Sequence, residues 1–565
     1  MKFETEISGA DALMLALQAE GVDTLFGYPG GAIMPLYDSM YRFGDQFRHV
    51  LTRHEQGAIH AAQGFARVTG KAGVCLTTSG PGATNLLTGL ADAFMDSTPV
   101  VCITGQVNAR YIGSDAFQEA DILGLTTPVT KWNVRITKAS DLLEAVSQGF
   151  FIARTGRPGP VVLDIAKNVF SEKILYDYQP CKGISSYVPE PEPDQKKIRK
   201  AAEWINQSER PMVYFGQGVL LSGASEELRL MIEKAGIPAA ATLLGLSALP
   251  ADHPLNMGML GMHGNYAPNL LTDKTDLVVA VGMRFDDRVT SDPSFYLPNA
   301  RIIHIDIDAS EHGKVMHAHL AITGDAKRVL TSLIDLVEPA VHASWLDEFA
   351  ELRKSEENKI YSEDLKTEGD LIKMGAVVRK FSEYFPDDTI IVTDVGQHQM
   401  KTARYYPFVE PRTLVTSGGL GTMGFGLPAA IGAKIGCPDR QVIAVIGDGG
   451  FQMTLQEIMT AIQENAAVKI VLLNNGFLGM VRQWQELFFS RRYASTELMN
   501  PDFVKVVEAM GLPSRRISHP GEIEDAILWL RDSETACFLE VSVEKEENVF
   551  PMVPAGSRVS QMMLE

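Results

Sequence analysis

Two short segments of this 565-residue chain carry the residue types that divalent-metal and phosphate chemistry needs. Gly447-Asp448-Gly449-Gly450 follows the β-branched run 442–446, and Asn474-Asn475 follows the next such run, 468–473. Mg²⁺ prefers hard oxygen ligands, takes one or two from protein, and leaves the rest to water and phosphate. A carboxylate at one strand end and an amide oxygen at the next, Asp448 and Asn475, can converge on one such ion. The flanking glycines let backbone N–H groups approach a diphosphate, and a helix over 454–464 would point its positive end there. Taken singly, Asp448 is equally a helix cap and Asn475 equally a turn residue. Their pairing across adjacent strands is what points to a metal and a diphosphate.

A second candidate is Glu55 in Arg53-His54-Glu55-Gln56-Gly57-Ala58, between the run 49–52 and an Ala/Gly-rich helical stretch. Apolar surroundings make a carboxyl costly to ionise, so it holds its proton more tightly and suits acid–base work. The plainer reading is a first-turn acid that satisfies free N–H groups. A third candidate is Gly419-Leu420-Gly421-Thr422-Met423-Gly424, which satisfies G-x-G-x-x-G with Asp448 one β-unit later. That is the outline of a dinucleotide fingerprint, so an NAD-linked oxidoreductase is the rival from another class. Against it, Phe425-Gly426-Leu427-Pro428 delays the helix, and Asp448 sits inside a Gly-Asp-Gly turn.

Short apolar runs alternate with longer helical patterns along the chain, which predicts an α/β protein of three doubly wound parallel-sheet domains. Strands are expected at 23–27, 49–52, 73–77, 100–104 and 160–165 in the first block. The second block has candidates at 212–215, 277–281 and 301–307, and the third at 389–393, 413–416, 442–446, 468–473 and 537–543. The blocks are read as domains over 1–180, 190–345 and 367–565. A polar, proline-bearing linker spans 176–195, and the charged stretch 345–366 reads as a solvated connector. Open parallel sheets bind ligands outside the carboxyl ends of their strands, and the suspicious polar residues fall at such ends. They are Glu55, the Ser79–Gly82 turn, Gln106, Gly396-Gln397-His398, Asp448 and Asn475.

Composition narrows the classes further. Apolar residues make up 45% and charged residues 21%, the profile of a globular protein. A net charge of -19 without a basic stripe argues against a nucleic-acid partner. No stretch is long and apolar enough to span a bilayer, so no membrane partner is expected. The five cysteines are scattered and form no C-x-x-C, which fits reduced packing residues in a cytoplasmic protein.

Several further motifs accompany these candidates. They are 26–31 (FGYPGG), 78–85 (TSGPGATN), 156–160 (GRPGP), 261–264 (GMHG), 282–290 (GMRFDDRVT), 417–430 (SGGLGTMGFGLPAA) and 479–484 (GMVRQW). Together they resemble the acetohydroxyacid synthase (acetolactate synthase) large catalytic subunits, thiamine-diphosphate enzymes, over residues 6–560. The resemblance implies that pyruvate is decarboxylated and its two-carbon unit joined to pyruvate or 2-ketobutyrate, an entry step to branched-chain amino acids. A flavin-linked pyruvate oxidase and a catalytically dead regulatory relative are the rivals; intact Glu55, Asp448 and Asn475 disfavour the latter.

Carried over position by position, the resemblance makes Glu55 the partner of the pyrimidine N1′, a hydrogen bond that favours the tautomer able to remove the C2 proton of the thiazolium. Asp448, Asn475 and the Phe477 carbonyl would hold Mg²⁺. The Asn475-Gly476-Phe477 run departs from the commoner form, in which a polar pair follows the asparagines. Cofactor contacts are implied at Gly30, Gly31, Pro81 and Asn85 in the first block. In the third block they are Val395, Gly396, Gln397, His398, Gly421, Met423, Gly447, Gly449, Gly450, Gly479 and Met480. Gln118, reaching over from a partner subunit, and Lys167 are the other implied catalytic residues. FAD is implied at Arg157, Gly216, Gly218, Thr242, Leu243, Met262, His263, Gly282, Arg284, Asp306 and Asp325, without a net redox step. A homodimer or homotetramer, and a regulatory small subunit, are the implied protein partners.

Two residues bear on substrate choice. The acceptor's carboxylate needs a cation, and the guanidinium of Arg288 suits it better than an ammonium. The plainer alternative pairs Arg288 with Asp286 or Asp287 at the surface. Trp484, one helical turn beyond Met480, is the candidate wall beside the acceptor's alkyl group, against the commoner reading of such a pair as core.

Overall fold

The computed structural model describes residues 2–565. Runs such as Leu277–Val281 (LVVAV) and Val442–Gly447 (VIAVIG) are buried at every position, as strands covered by helices on both faces must be. They assemble into three six-stranded, wholly parallel sheets. The first runs Arg48–Leu51, Thr24–Gly27, Gly73–Thr77, Val100–Gln106, Val161–Ala166, Trp132–Ile136. The third runs Leu414–Val415, Ile390–Thr393, Val442–Gly447, Val468–Asn474, Cys537–Ser542, Ser514–Ile517. Numbered within each sheet, both have the order 2-1-3-4-6-5.

The second sheet differs. It runs Asn256–Met259, Ala239–Ala241, Pro211–Phe215, Leu277–Val281, Arg301–Asp306, Leu320–Thr323, which is 3-2-1-4-5-6, the dinucleotide-binding order. Each sheet therefore has one crevice where the winding reverses. The loops at those crevices begin at Gly27 and Thr77, at Phe215 and Val281, and at Thr393 and Gly447.

Several elements depart from the sequence reading. Trp132–Ile136 and Ser514–Ile517 are half-exposed edge strands without a continuous apolar run. Ala239–Ala241 is three alanines, which carry little strand signal. The expected linker at 176–195 starts inside a strand, Lys173–Asp177, which pairs antiparallel with Lys2–Ser8. The expected helix over 454–464 instead starts at Asp448 and runs Asp448–Thr454, continuing after a turn as Ile458–Gln463. The 345–366 stretch is not a solvated connector. Helix Ala343–Glu356 buries Trp345, Phe349 and Glu356, and the Glu356 carboxylate pairs with the equally buried Arg404. Asp364 Oδ2 meets Lys401 Nζ at 2.5 Å. No helix among the described residues is long and apolar enough to cross a membrane.

The first and third sheets are locked together by two helices, Glu55–Thr69 and Gly426–Gly436. A Cβ on Gly64 would sit 2.0 Å from the Ala429 carbonyl oxygen, and one on Gly432 would sit 1.8 Å from that of Ala61. Only glycine allows so close a backbone approach. Gly432→Ala should therefore force the helices apart at a cost of ~1–3 kcal/mol, the range for overpacking. The thermal transition should fall by about 2–4 °C per kcal/mol for a domain of ordinary size. An unchanged transition would show that the helices do not meet there.

Candidate active site

Three helices begin at the crevice of the third sheet: Gln397–Tyr405, Asp448–Thr454 and Gly479–Phe488. None carries a side-chain N-cap bond, so their first-turn N–H groups present a positive end to the crevice. The starts are packed against one another through glycines. A Cβ on Gly447 would meet the His398 ring at 2.8 Å, and one on Gly479 would meet Gln397 Oε1 at 2.1 Å and Asn475 Nδ2 at 2.9 Å. A Cβ on Gly449 would lie 3.3 Å from Met423 Cε. His398 is buried, and burial pushes its pKa down to about 3, so the ring is neutral. Among the described residues its Nε2 has no hydrogen-bond partner.

Asp448, 2% exposed, turns one carboxylate oxygen onto the following strand end. Oδ2 accepts from Gly476 N at 3.0 Å and from Asn500 Nδ2 at 2.6 Å, while Oδ1 accepts from Gly449 N at 3.2 Å. Burial raises its carboxyl above the ordinary range, and these N–H groups pull it back. Asn475 donates to Gln397 Oε1 at 3.2 Å, and its own Oδ1 accepts from Phe477 N at 3.1 Å. Asp448 and Asn475 thus bracket the same Gly476-Phe477 turn. Among the described residues no three His, Cys, Asp or Glu side chains gather as a metal cluster. The donor set here is instead one carboxylate, one amide and a backbone carbonyl, which suits Mg²⁺ completed by phosphate and water.

Several N–H groups of the glycine-rich run at 417–426 are already committed. Asp96 accepts from Gly418 N at 2.9 Å and Gly419 N at 2.7 Å, reaching across from the helix Leu87–Met95 of the first block. Asp92, in the same helix, accepts from the hydroxyls of Ser417 and Thr422. Asp394 takes Gly424 N at 2.9 Å and Gly426 N at 2.9 Å. A dinucleotide fingerprint needs those N–H groups for its pyrophosphate. With Gly419 and Gly424, two of its three motif glycines, so committed, the run at 419–424 is a clamped turn.

In the first sheet, Glu55 opens its helix beside the crevice and Oε2 accepts from Asn85 Nδ2 at 2.9 Å. A Cβ on Gly82 would lie 3.2 Å from Oε1, so the Pro81 turn covers that oxygen closely. Gly80 (φ +58°) packs under Gln118, whose own backbone is left-handed (φ 61°). The structure thus brings Glu55, Pro81, Asn85 and Gln118 together. Gly30 faces Thr78 across the same crevice, and Gly31 is open. Lys167 starts the helix after Val161–Ala166 and is exposed.

A cavity of about 800 Å³ spans the central sheet's crevice and extends to the third block. Arg157, Gly218, Thr242, Leu243, Met262, His263, Gly282, Arg284, Asp306 and Asp325 line it, together with Val395, Gly396, Gly421, Met423 and Met480. Gly216 lies behind this wall, where its Cβ would meet Gly282 O at 2.3 Å. Arg157 reaches over from the first block to Glu311 Oε1 at 2.6 Å. Burial pushes Asp306 up to about 7 and His263 down to about 4. Asp325 caps the helix Ala326–Leu336. Arg288 lines the cavity with its side chain 58% exposed and 3.4 Å from Asp287 Oδ2. Trp484, 36% exposed, lines it beside Met480 and is not part of a core cluster. Glu55, Gln118, Asp448 and Asn475 do not line this cavity.

Four acids and an amide escaped the sequence reading: Asp92, Asp96, Asp394, Glu457 and Asn500. Asp394 sits directly before Val395-Gly396, and its place at a strand end was the available signal. The others act on partners far away in sequence, and nothing in their own surroundings marks them.

Comparison with known proteins agrees with this layout. Residues 7–125 match the thiamine pyrophosphate enzyme N-terminal TPP binding domain, 198–333 the central domain and 394–541 the C-terminal TPP binding domain. The chain is 44% identical over 567 residues to an acetolactate synthase large subunit of Corynebacterium glutamicum, covering 98% of this chain and 90% of that one. It is 44% identical over 559 residues to the acetolactate synthase isozyme 2 large subunit of Escherichia coli, covering 99% of each. An acetolactate synthase large subunit of Lactococcus lactis is 42% identical over 564 residues, covering 100% of this chain and 97% of that one. With three domains matched in order and relatives aligned nearly end to end, the chain belongs to the acetolactate synthase large subunits of the thiamine pyrophosphate enzyme family.

Proposed function

We propose that this protein decarboxylates pyruvate and joins the two-carbon unit to pyruvate or 2-ketobutyrate, giving 2-acetolactate or 2-aceto-2-hydroxybutyrate. The observation that carries the proposal is the Asp448–Asn475 oxygen pair at the foot of three uncapped helices, in a chain 44% identical to acetolactate synthase large subunits. Thiamine diphosphate, when bound, supplies a carbon nucleophile for the keto group and an electron sink for the loss of CO₂.

The chain's residues divide the remaining work. Asp448, Asn475 and the Phe477 carbonyl hold Mg²⁺, and the three helix starts with neutral His398 hold the diphosphate. Gly447, Gly449 and Gly479 keep that cradle clear, since a Cβ on any of them meets a neighbour within 3 Å. Met423, beside Gly449, supports the ring system. Glu55 shares a proton with the pyrimidine N1′, its carboxyl oriented by Asn85 on Oε2. Arg288 takes the acceptor's carboxylate, and Trp484 forms the wall beside its alkyl group. Support for FAD comes from the dinucleotide strand order, the cavity over it, and the close loop approach at Gly216, Gly218 and Gly282.

Assembly is part of the same reading. The family resemblance implies a cofactor held between the first domain of one chain and the third domain of another. A second copy that brings its Glu55 and Gln118 to this chain's Asp448 completes the site, so a homodimer is the minimum and a homotetramer the alternative. The relatives' name of large subunit is the support for a regulatory small-subunit partner.

The direct test supplies pyruvate with and without thiamine diphosphate, Mg²⁺ and FAD. Acetolactate and CO₂ should appear together; acetate in place of acetolactate would make the protein a pyruvate oxidase instead. Glu55→Gln keeps size and hydrogen bonding but removes the acid. Exchange of the cofactor C2 proton, followed by NMR after acid quench, should slow by about 10²-fold or more. Wild-type exchange would leave Glu55 a structural residue. For Trp484→Leu the expected change is in product ratio. One methylene in a fitted apolar pocket is worth ~1–3 kcal/mol, or about 10–200-fold, so much of any preference for 2-ketobutyrate should collapse. Competition between the two acceptors at fixed pyruvate reads this out, and an unchanged ratio returns Trp484 to a packing role.

A further inference from the structure

Asp448 is held by more than its own turn. Asn500 lies 52 residues further along, yet its amide nitrogen donates to Asp448 Oδ2 at 2.6 Å and to Asn474 Oδ1 at 3.0 Å. The Asn500 carbonyl oxygen accepts from Gln452 Nε2 at 3.0 Å, and the same Gln452 nitrogen donates to the Asp448 backbone carbonyl at 3.2 Å. Asn474 cannot turn over, because its Nδ2 donates to Glu540 Oε1 at 2.8 Å. Its Oδ1 must then face Gly476 N and Asn500. Glu540, 3% exposed, is in turn fixed by Arg516 Nε at 2.8 Å. A continuous series of oriented groups thus runs Arg516, Glu540, Asn474, Asn500, Asp448.

The series has a consequence for the carboxylate. Oδ2 is committed to two strong donors, Asn500 and Gly476 N, while Oδ1 has only a long bond from its neighbour Gly449 N. We infer that Asn500 is a positioning residue that fixes the rotation of the Asp448 carboxylate so that Oδ1 is the oxygen offered to the cation. This rests on the reading that Asp448 and Asn475 hold Mg²⁺. A ligand's angle matters most to an ion that demands octahedral geometry, as Mg²⁺ does; Ca²⁺ accepts irregular shells. An Asn500 that merely tied down its own segment would affect the two ions alike.

The test uses the full-length protein, stripped of metal with a chelator, at fixed thiamine diphosphate. MgCl₂ or CaCl₂ is titrated in, and binding is followed by the fluorescence of the five tryptophans, of which Trp484 lines the cavity. Asn500→Ala should weaken apparent Mg²⁺ affinity by about 10–100-fold, the range for a lost partner of a metal ligand. Its Ca²⁺ affinity should fall several-fold less. Asn500→Gln, which keeps an amide donor on a longer and more flexible stem, should recover part of the Mg²⁺ loss, and it carries the comparison alone if the alanine variant does not fold. Unchanged Mg²⁺ affinity, or equal losses for both ions, overturns the role of Asn500. Asp448→Ala separates this from the underlying reading. If it titrates like the unmodified protein, the metal site itself is misplaced; if only Asp448→Ala is impaired, Asn500 alone is.

Discussion

The Glu55–Thr69 and Gly426–Gly436 helices meet backbone to backbone at Gly64 and Gly432, with no room for a side chain between them. The starts of the two helices carry further constraints. One carries Glu55; the other follows the turn that Asp394 gathers through Gly424 and Gly426. A third-block acid finishes the joint, because Glu457 accepts Arg53 N through both its oxygens at 3.1 Å. Once the helix contact is set, the Glu55 turn and the clamped glycine run have little freedom left. Close packing of this kind transmits position without flexible intermediaries.

Much of the local order around the candidate site is enforced by buried carboxylates that serve backbone N–H groups and hydroxyls. Asp394 and Asp92 are both pushed up to about 6, each chiefly by burial. Their ionised forms are therefore carried at a cost above that pH, and the cost is relieved as pH falls from about 6 toward the ordinary value of 3.8. Uncompensated burial would be prohibitive, but Asp394 accepts from three backbone N–H groups, Asp92 from the hydroxyls of Ser417 and Thr422, and Asp96 has Arg67 at 2.8 Å. The structure accepts ionisation cost at these points in return for loops with one conformation.

The sequence showed those parts of this arrangement whose signal is local. Gly-Asp-Gly after one strand and Asn-Asn after the next could be read because the topology of a parallel sheet puts successive strand ends together. Fully buried strands such as Leu277–Val281 stood out for the same reason, an unbroken apolar run. Legibility ended where a residue acts at a distance. The 345–366 stretch looked solvated because its charges outnumber its apolar residues, yet Glu356 and Asp364 are spent on Arg404 and Lys401, both buried. Arg157 belongs to the first block but is answered by Glu311 in the second. The glycine run at 419–424 misled in the opposite sense, because a local pattern cannot reveal that the N–H groups of Gly419 and Gly424 are already taken.

Asp96 and the glycines it clamps are 322 and 323 residues apart along the chain. A chain made from its amino terminus completes the helix that bears Asp92 and Asp96 long before residues 417–422 leave the ribosome. Domains generally fold in that order, each as a unit. The acids, with Asp96 already paired to Arg67 of its own domain, are then a waiting template onto which the later domain must close. The shape of that turn is specified by the beginning of the message and read only near its end.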